Sequence, residues 1–318
     1  MNAVFLDFAT VGAAELDRGP LLDLFPEMRF FETTTAGQVA GRIADAEVVL
    51  ANKVRLGADQ FDAAPRLSFI GLTATGVDNV DLDAARERGI AVCNVRAYCT
   101  QSVTEHVFGV LLTLTHSLHR FTRAVADGAW QESTEFCLLD YPLRELSAMT
   151  MGIVGHGDLG SSVARTAEHF GMRVLVARRR GQPAADDGRV DLDELLGRAD
   201  VVSLHCPLTE ETRGLIGARE LGLMKPDAIL VNTARGGLVD SAALAAALAE
   251  ERIGGAAIDV LPQEPPVDGD PLLELDSPRL VVTPHIAWGT REARQNSLDQ
   301  LARAYRAFAA GERYNRIV

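Results

Sequence analysis

The chain has 318 residues, 47% of them apolar, and a formal charge of −13 from 31 basic and 44 acidic side chains. That length allows two domains with real cores, and the negative balance argues against a general binder of nucleic acid or anionic membrane, which needs clustered positive charge. Four scattered cysteines (Cys93, Cys99, Cys137 and Cys206) form no CxxC pair, which argues against a disulfide or metal framework and fits a reducing cytoplasm.

The N-terminal run AVFLDF has the character of a first strand. No basic segment followed by a long apolar run marks a signal peptide, and no uninterrupted apolar stretch of about 18 residues is present to span a membrane. Four more strand-like runs follow, MRFFET, AEVVLAN, LSFIGLTAT and IAVCNV, separated by segments with helical spacing such as AGQVAGRIADA and VDLDAARERG. This alternation implies βαβ units and a mostly parallel sheet. A long helical pattern covers SVTEHVFGVLLTLTHSLHRFTRAVADG, with Ser102 and Glu105 spaced as a capping box at its start. After the loop-like EFCLLDYPLRELSAMT, a second alternating series begins. Its strands are TMGIVGH, MRVLVAR, DVVSLHC, AILVNTA, GAAIDVL and LVVTPHI, and a final helix, TREARQNSLDQLARAYRAFAAG, follows. The expected fold class is α/β, with two doubly wound parallel-sheet domains.

The first strand of the second series runs into GHGDLG, which spaces Gly155, Gly157 and Gly160 as G-x-G-x-x-G. Gly155 permits the tight turn, Gly157 lets the backbone approach a pyrophosphate, and Gly160 lets helix and strand pack closely. Asp158 and Leu159 open the following helix, whose free amides and dipole favour an anion. His156 is expected to be an exposed turn side chain. About 20 residues on, an acidic residue would hold the adenosine ribose of NAD. Arg178 stands there instead, with Arg179 and Arg180 behind it. A carboxylate would repel a 2′-phosphate by about 4 kcal/mol at 4 Å in a partly screened site. An arginine reverses the sign and can contact phosphate with two donors. The cluster therefore points to NADP (NADPH) in preference to NAD.

Further motifs follow in order: LHCPLTEETRGLIG, LMKPDAILVNTARGGLVD, AAIDVLPQEPP and VVTPHIAWGTREAR. With TATGVDNVDLDAARERGIAVCNV and SVTEHVFGVLL, this ordered set resembles the D-isomer-specific 2-hydroxyacid dehydrogenase family over nearly the whole chain. ANKVRL, EFCLLDYPLREL and HIAWGTREARQ look more like its glycerate dehydrogenase or hydroxypyruvate reductase branch. The resemblance implies a Rossmann-type nucleotide domain over residues 99–287. It also implies a flavodoxin-like substrate domain built from residues 1–98 and 288–318, an active site in the cleft between the two, and a cytoplasmic homodimer formed through the nucleotide domains.

It also implies roles. His285 in TPHIAW would exchange a proton with the substrate oxygen, a task for which histidine's proton equilibrium near neutral pH is suited. Glu264 in PQEPP would hydrogen-bond the other ring nitrogen, and Arg235 in NTARGG would clamp the substrate carboxylate. Thr75 and Gly76 would offer backbone amides to that carboxylate. Asn52 and Lys53 would meet the polar end of the substrate, with Trp288 as a wall of its pocket or a packing aromatic near it. Cys206, Pro207 and Thr212 would line the adenosine side, while Thr104, Thr233 and Asp259 would contact the remainder of the cofactor. No metal is called for. Met149 replaces a lysine often found before the glycine-rich strand, a change expected to be harmless. The implied reaction is reduction of a small 2-oxoacid such as hydroxypyruvate or glyoxylate. Two alternatives remain open at this point: a dinucleotide-sensing corepressor on the same fold, as in the C-terminal-binding-protein group, and another dehydrogenase of the scaffold, such as one for phosphite.

Overall fold

A computed structural model describes residues 1–12, 15–179, 181 and 188–318. The chain forms two compact units, Met1–Cys99 with Trp288–Val318, and Thr100–Ala287.

In the first unit, strands β1 (Ala3–Phe5), β2 (Arg29–Phe30), β3 (Val48–Ala51), β4 (Phe69–Leu72) and β5 (Ala91–Cys93) form a parallel sheet in the order β2-β1-β3-β4-β5. This is the flavodoxin-like order. Both faces are buried along β1, β3, β4 and β5, so these strands are apolar throughout and do not alternate, whereas the edge strand β2 begins with exposed Arg29. Along β3, Val48 and Leu50 enter one core while Val49 and Ala51 enter the other. Helices Ala36–Ile43, Ala58–Asp62 and Leu82–Glu87 supply Val39, Ile43, Phe61, Ala84 and Ala85 to the second core. The first core is closed by the C-terminal helix Arg291–Ala309, which contributes Leu298, Leu301 and Tyr305. The Tyr305 ring meets Phe25 at 4.6 Å and Phe69 at 5.3 Å.

In the second unit, strands β6 (Thr150–Val154), β7 (Arg173–Val176), β8 (Val201–Leu204), β9 (Ile229–Asn232), β10 (Gly255–Ile258) and β11 (Leu280–Val282) pair in parallel in the order β11-β10-β9-β8-β6-β7. Beyond β7 the sheet is extended by a single bridge, Ala177 to Val190. The chain leaves β6 towards β7 and later returns to β8 on the other side, so the topological switch lies between β6 and β8. In open α/β sheets that crevice takes the ligand. Leu195, Leu196, Leu221, Leu244 and Leu248 cover one face of the sheet. Helices Thr100–Thr115 and Asp158–His169 pack together and against the strands on the other. Met149 is buried, which suits its apolar side chain. Among the described residues, no helix is long and apolar enough to cross a membrane.

Two local expectations are corrected. The helical pattern after residue 99 begins at Thr100, so Ser102 lies inside the helix and is not its N-cap residue. Its buried hydroxyl donates to the Ala287 carbonyl at 2.6 Å. The pattern is also two helices, Thr100–Thr115 and Leu118–Ala126. They break at Ser117, which adopts φ +47° and donates its hydroxyl to the Pro142 carbonyl at 3.0 Å. That bond reaches 25 residues along the chain, so apolar periodicity alone does not register the break.

Candidate active site

The turn after β6 is shaped by contacts that only glycine tolerates. Gly155 has φ +97°, and a Cβ there would lie 2.5 Å from the Cys206 amide nitrogen, at the end of β8. A Cβ on Gly160 would lie 1.9 Å from the Gly155 carbonyl oxygen. Gly157 differs: its φ is −87°, and a Cβ would meet nothing within 4 Å. The fold itself does not require glycine at 157, whereas a ligand lying against the backbone would. The helix that starts at Asp158 has no side-chain cap. Its first-turn amides, those of Asp158, Leu159 and Gly160, therefore face an open anion site. The residues present fit a dinucleotide pyrophosphate.

Beside this turn is a cavity of about 910 Å³, lined among others by Gly155, Arg178, Arg179, Cys206, Pro207 and Thr212. Exposed His156 also lines it. Thr212 shapes the wall locally, with its hydroxyl donating to the Pro207 carbonyl at 2.7 Å. Burial pushes the Cys206 thiol pKa up, which keeps it protonated. Arg179 is exposed. Arg178 is largely enclosed and donates to Asp191 Oδ1 at 2.6 Å and to the Arg189 carbonyl at 2.7 Å. Arg180 lies outside the described residues. Asp191 was not legible as a partner, because it sits 13 residues away across a stretch with no periodic pattern.

Arg235, Glu264 and His285 do not line that cavity. They follow β9, β10 and β11, three neighbours in the sheet, and so share its C-terminal edge. His285 Nδ1 and Glu264 Oε2 are 2.6 Å apart, and both side chains are about one-third exposed (32% and 35%). The other oxygen of Glu264 accepts from the Leu261 amide at 2.9 Å, which fixes the carboxylate. His285 has φ +55°, a left-handed conformation costly for a side chain of this size. Neighbouring bonds hold it there. The His285 amide donates to the Asp259 carbonyl at 2.8 Å, and the buried Asp259 carboxylate accepts from Thr283 Oγ1 at 2.5 Å and from the Ile286 and Ala287 amides at 2.9 Å each. His106, on the helix Thr100–Thr115, lies 3.1 Å from Thr283 Oγ1.

Exposed Arg235 donates to the Ala234 carbonyl at 2.7 Å, the one hydrogen bond of its guanidinium among the described residues. Its loop lies against the loop that carries Glu264. A Cβ on Gly236 would sit 1.9 Å from the Leu261 carbonyl carbon, so the two backbones touch. The hydroxyl of Thr233, two residues before Arg235, is buried and has no partner. Such an orphan fits a group supplied by a ligand. Thr104 is placed differently: it is buried between two helices, and its hydroxyl donates to the Thr100 carbonyl and to Ser162 Oγ.

In the first unit, Asn52 and Lys53 follow β3 in a loop organised by Asp7, which the sequence reading passed over. The Asp7 carboxylate accepts from the amides of Asn52 at 2.8 Å, Lys53 at 2.6 Å and Val54 at 3.1 Å. Thr75 follows β4, is exposed, and donates its hydroxyl to the Val95 carbonyl at 3.0 Å, with Gly76 next to it. Trp288 packs near Tyr98, with ring centroids 6.4 Å apart.

Comparison with known proteins agrees with this geometry. The family model described as "D-isomer specific 2-hydroxyacid dehydrogenase, NAD binding domain" matches residues 108–287. A glycerate dehydrogenase of Methylorubrum extorquens is 45% identical over 316 residues, covering 99% of this chain and 98% of that protein. A hydroxypyruvate reductase of Blautia hydrogenotrophica is 34% identical over 322 residues, covering 99% of each. Among solved structures, an acyclic imino acid reductase in complex with NADPH and D-Arg superimposes with a TM-score of 0.85 at 25% identity, covering 100% of both chains.

Proposed function

Because this chain belongs to the D-isomer-specific 2-hydroxyacid dehydrogenase family, we propose that it reduces a small 2-oxoacid such as hydroxypyruvate or glyoxylate with NADPH in preference to NADH. The observation that carries the reading is the His285–Glu264 pair at 2.6 Å, placed at the strand ends together with Arg235.

The nicotinamide supplies the hydride when bound. The chain's own residues do the rest. His285 gives a proton to the carbonyl oxygen in reduction and takes it back in oxidation. Glu264 orients the ring through Nδ1, and the proton is exchanged through Nε2. Arg235 holds the carboxylate and polarises the carbonyl. Carboxylate binding by Thr75 and Gly76, the polar contacts of Asn52 and Lys53, and the pocket wall at Trp288 belong to the same proposal. Gly157 and the amides at 158–160 hold the pyrophosphate, and Thr233 and Asp259 serve the nicotinamide end. NADPH preference is supported by Arg178 and Arg179 in the cavity wall, in place of an acidic residue at the end of β7. A homodimer through the second unit is supported by exposed Trp130, Phe136 and Leu139 in that unit.

The test is kcat/KM over a panel of 2-oxoacids with each dinucleotide. Turnover of hydroxypyruvate or glyoxylate, faster with NADPH at limiting concentration, is the expected result. Absence of turnover with every 2-oxoacid refutes the proposal, and equal use of both dinucleotides refutes its cofactor part.

A further inference from the structure

We infer that Asp191 is an internal stand-in for the 2′-phosphate of the cofactor: it neutralises Arg178 until a phosphate monoester displaces it, and so sets how strongly NADPH is favoured over NADH. The inference rests on the NADPH reading above.

Three observations carry it. Asp191 is the N-cap residue of the helix Leu192–Arg198, where an aspartate ordinarily accepts from a first-turn amide. Here it makes no such bond and is turned to Arg178 instead. The pair is also asymmetric: the Arg178 side chain is 11% exposed and that of Asp191 76%. The cation is fixed in the cavity wall, and the anion lies in the open. Finally, Arg178 Nη2 is held by the Arg189 carbonyl while Nη1 holds Asp191, so the contact to Asp191 is the one an incoming anion can take over.

Exchange follows from the chemistry of the two anions. A phosphate monoester carries more charge than a carboxylate, about −1.5 to −2 near pH 7, and has three acceptor oxygens. It can take over Nη1 from Asp191 with stronger charge assistance. The exposed Asp191 carboxylate is solvated as soon as it leaves the pair, which makes the contact easy to give up. An unphosphorylated ribose brings no competing charge, so the pair persists when NADH binds. Of the other acidic groups of the wall, Asp193 and Glu220 are both paired with Arg219, and exposed Glu211 makes no contact with Arg178 among the described residues.

The test uses ligand fragments and needs no turnover. Dissociation constants for adenosine 2′,5′-bisphosphate and for 5′-AMP are measured by calorimetry on the intact chain and on Asp191→Asn, Glu194→Gln and Arg178→Leu. Glu194 lies on the same helix, pairs with Arg198 and does not line the cavity, so it controls for loss of one negative charge. Asp191→Asn is expected to tighten the bisphosphate by about three- to tenfold and to leave 5′-AMP within about twofold, with Glu194→Gln moving neither by more than that. No tightening, or equal tightening of both ligands, overturns the inference. If the unaltered chain prefers the bisphosphate and Arg178→Leu abolishes that preference while Asp191→Asn is silent, only this inference fails. If the unaltered chain shows no preference and Arg178→Leu changes neither ligand, the NADPH reading fails with it.

Discussion

Asp259 is the strongest lever on the acid–base pair, although its carboxylate faces away from solvent. It accepts three hydrogen bonds, from Thr283 Oγ1 and the Ile286 and Ala287 amides, and its backbone carbonyl holds the His285 amide. In Asp259→Asn, one amide oxygen can still serve Thr283 and Ile286, but the new NH2 group faces the Ala287 N–H. One buried donor is left unpaired, at about 1–3 kcal/mol, and the charge assistance of the remaining bonds is lost. The sum is about 2–4 kcal/mol of stability. The local effect is larger in consequence. The left-handed backbone at His285 costs about 1–2 kcal/mol, and with its anchors weakened that residue relaxes and carries the imidazole away from Glu264. A displacement of about 1 Å at a reacting group lowers kcat about a hundredfold. Urea unfolding measures the first effect and steady-state kinetics the second. An Asp259→Asn variant within about 0.5 kcal/mol of the parent and with unchanged kcat would refute this account of how His285 is held.

Three further outcomes are expected. Glu264→Gln keeps the side-chain volume and an acceptor for the Leu261 amide but removes the charge opposite His285, so kcat/KM for 2-oxoacid reduction should fall about tenfold to a hundredfold with little change in melting temperature. Gly236→Ala places a methyl group against the Leu261–Pro262 backbone, and calorimetry should record a loss of about 2–3 kcal/mol or more, accompanied by loss of activity. His205 bonds Ser203 Oγ at 2.9 Å, and burial pushes its pKa down to about 4. The unfolded chain, with a histidine near 6.5, binds this proton more readily than the folded one, so stability is complete above about pH 6.5 and declines as pH falls towards 4, by at most about 3 kcal/mol. In His205→Gln the stability curve over that window should be flatter than in the parent, whereas an unaltered slope would show that the ring titrates normally.

The parts of this fold that were plain in the sequence are those a single strand or turn determines by itself. Each strand of the two sheets falls within an apolar run, because a parallel sheet buried on both faces needs apolar residues at every position. Gly155, Gly157 and Gly160 stand out by their spacing after a strand-like run, although the close contact that requires glycine at 155 is made with Cys206, far along the chain. Arg235, Glu264 and His285 are marked by the motifs that carry the resemblance, and each follows such a run, at the sheet edge where ligands bind. What escaped the reading depends on partners distant in sequence. Ser102 has the spacing of a cap, yet the Ala287 carbonyl claims its hydroxyl. Asp7 looks like any polar residue after a strand, but it gathers three amides from residues 52–54. Gly236 reads as loop until the Leu261 backbone is placed beside it. Arg178 reads as a waiting cation until Asp191 is brought against it.

The C-terminal helix bears on how this chain is made. Leu298, Leu301 and Tyr305 belong to the first unit's core, yet they leave the ribosome only after the whole of the second unit has been synthesised. The second unit is contiguous, Thr100–Ala287, and can close its core during synthesis. The first unit must wait, with the sheet face that receives Tyr305 open to water. Domains fold as units in the order their residues emerge, so here the order of completion is the reverse of the order in which the units begin. Interrupted synthesis or trimming within the last helix would leave a folded nucleotide unit attached to an unfinished partner that exposes Phe25 and Phe69. That is the form of this protein most exposed to aggregation and proteolysis.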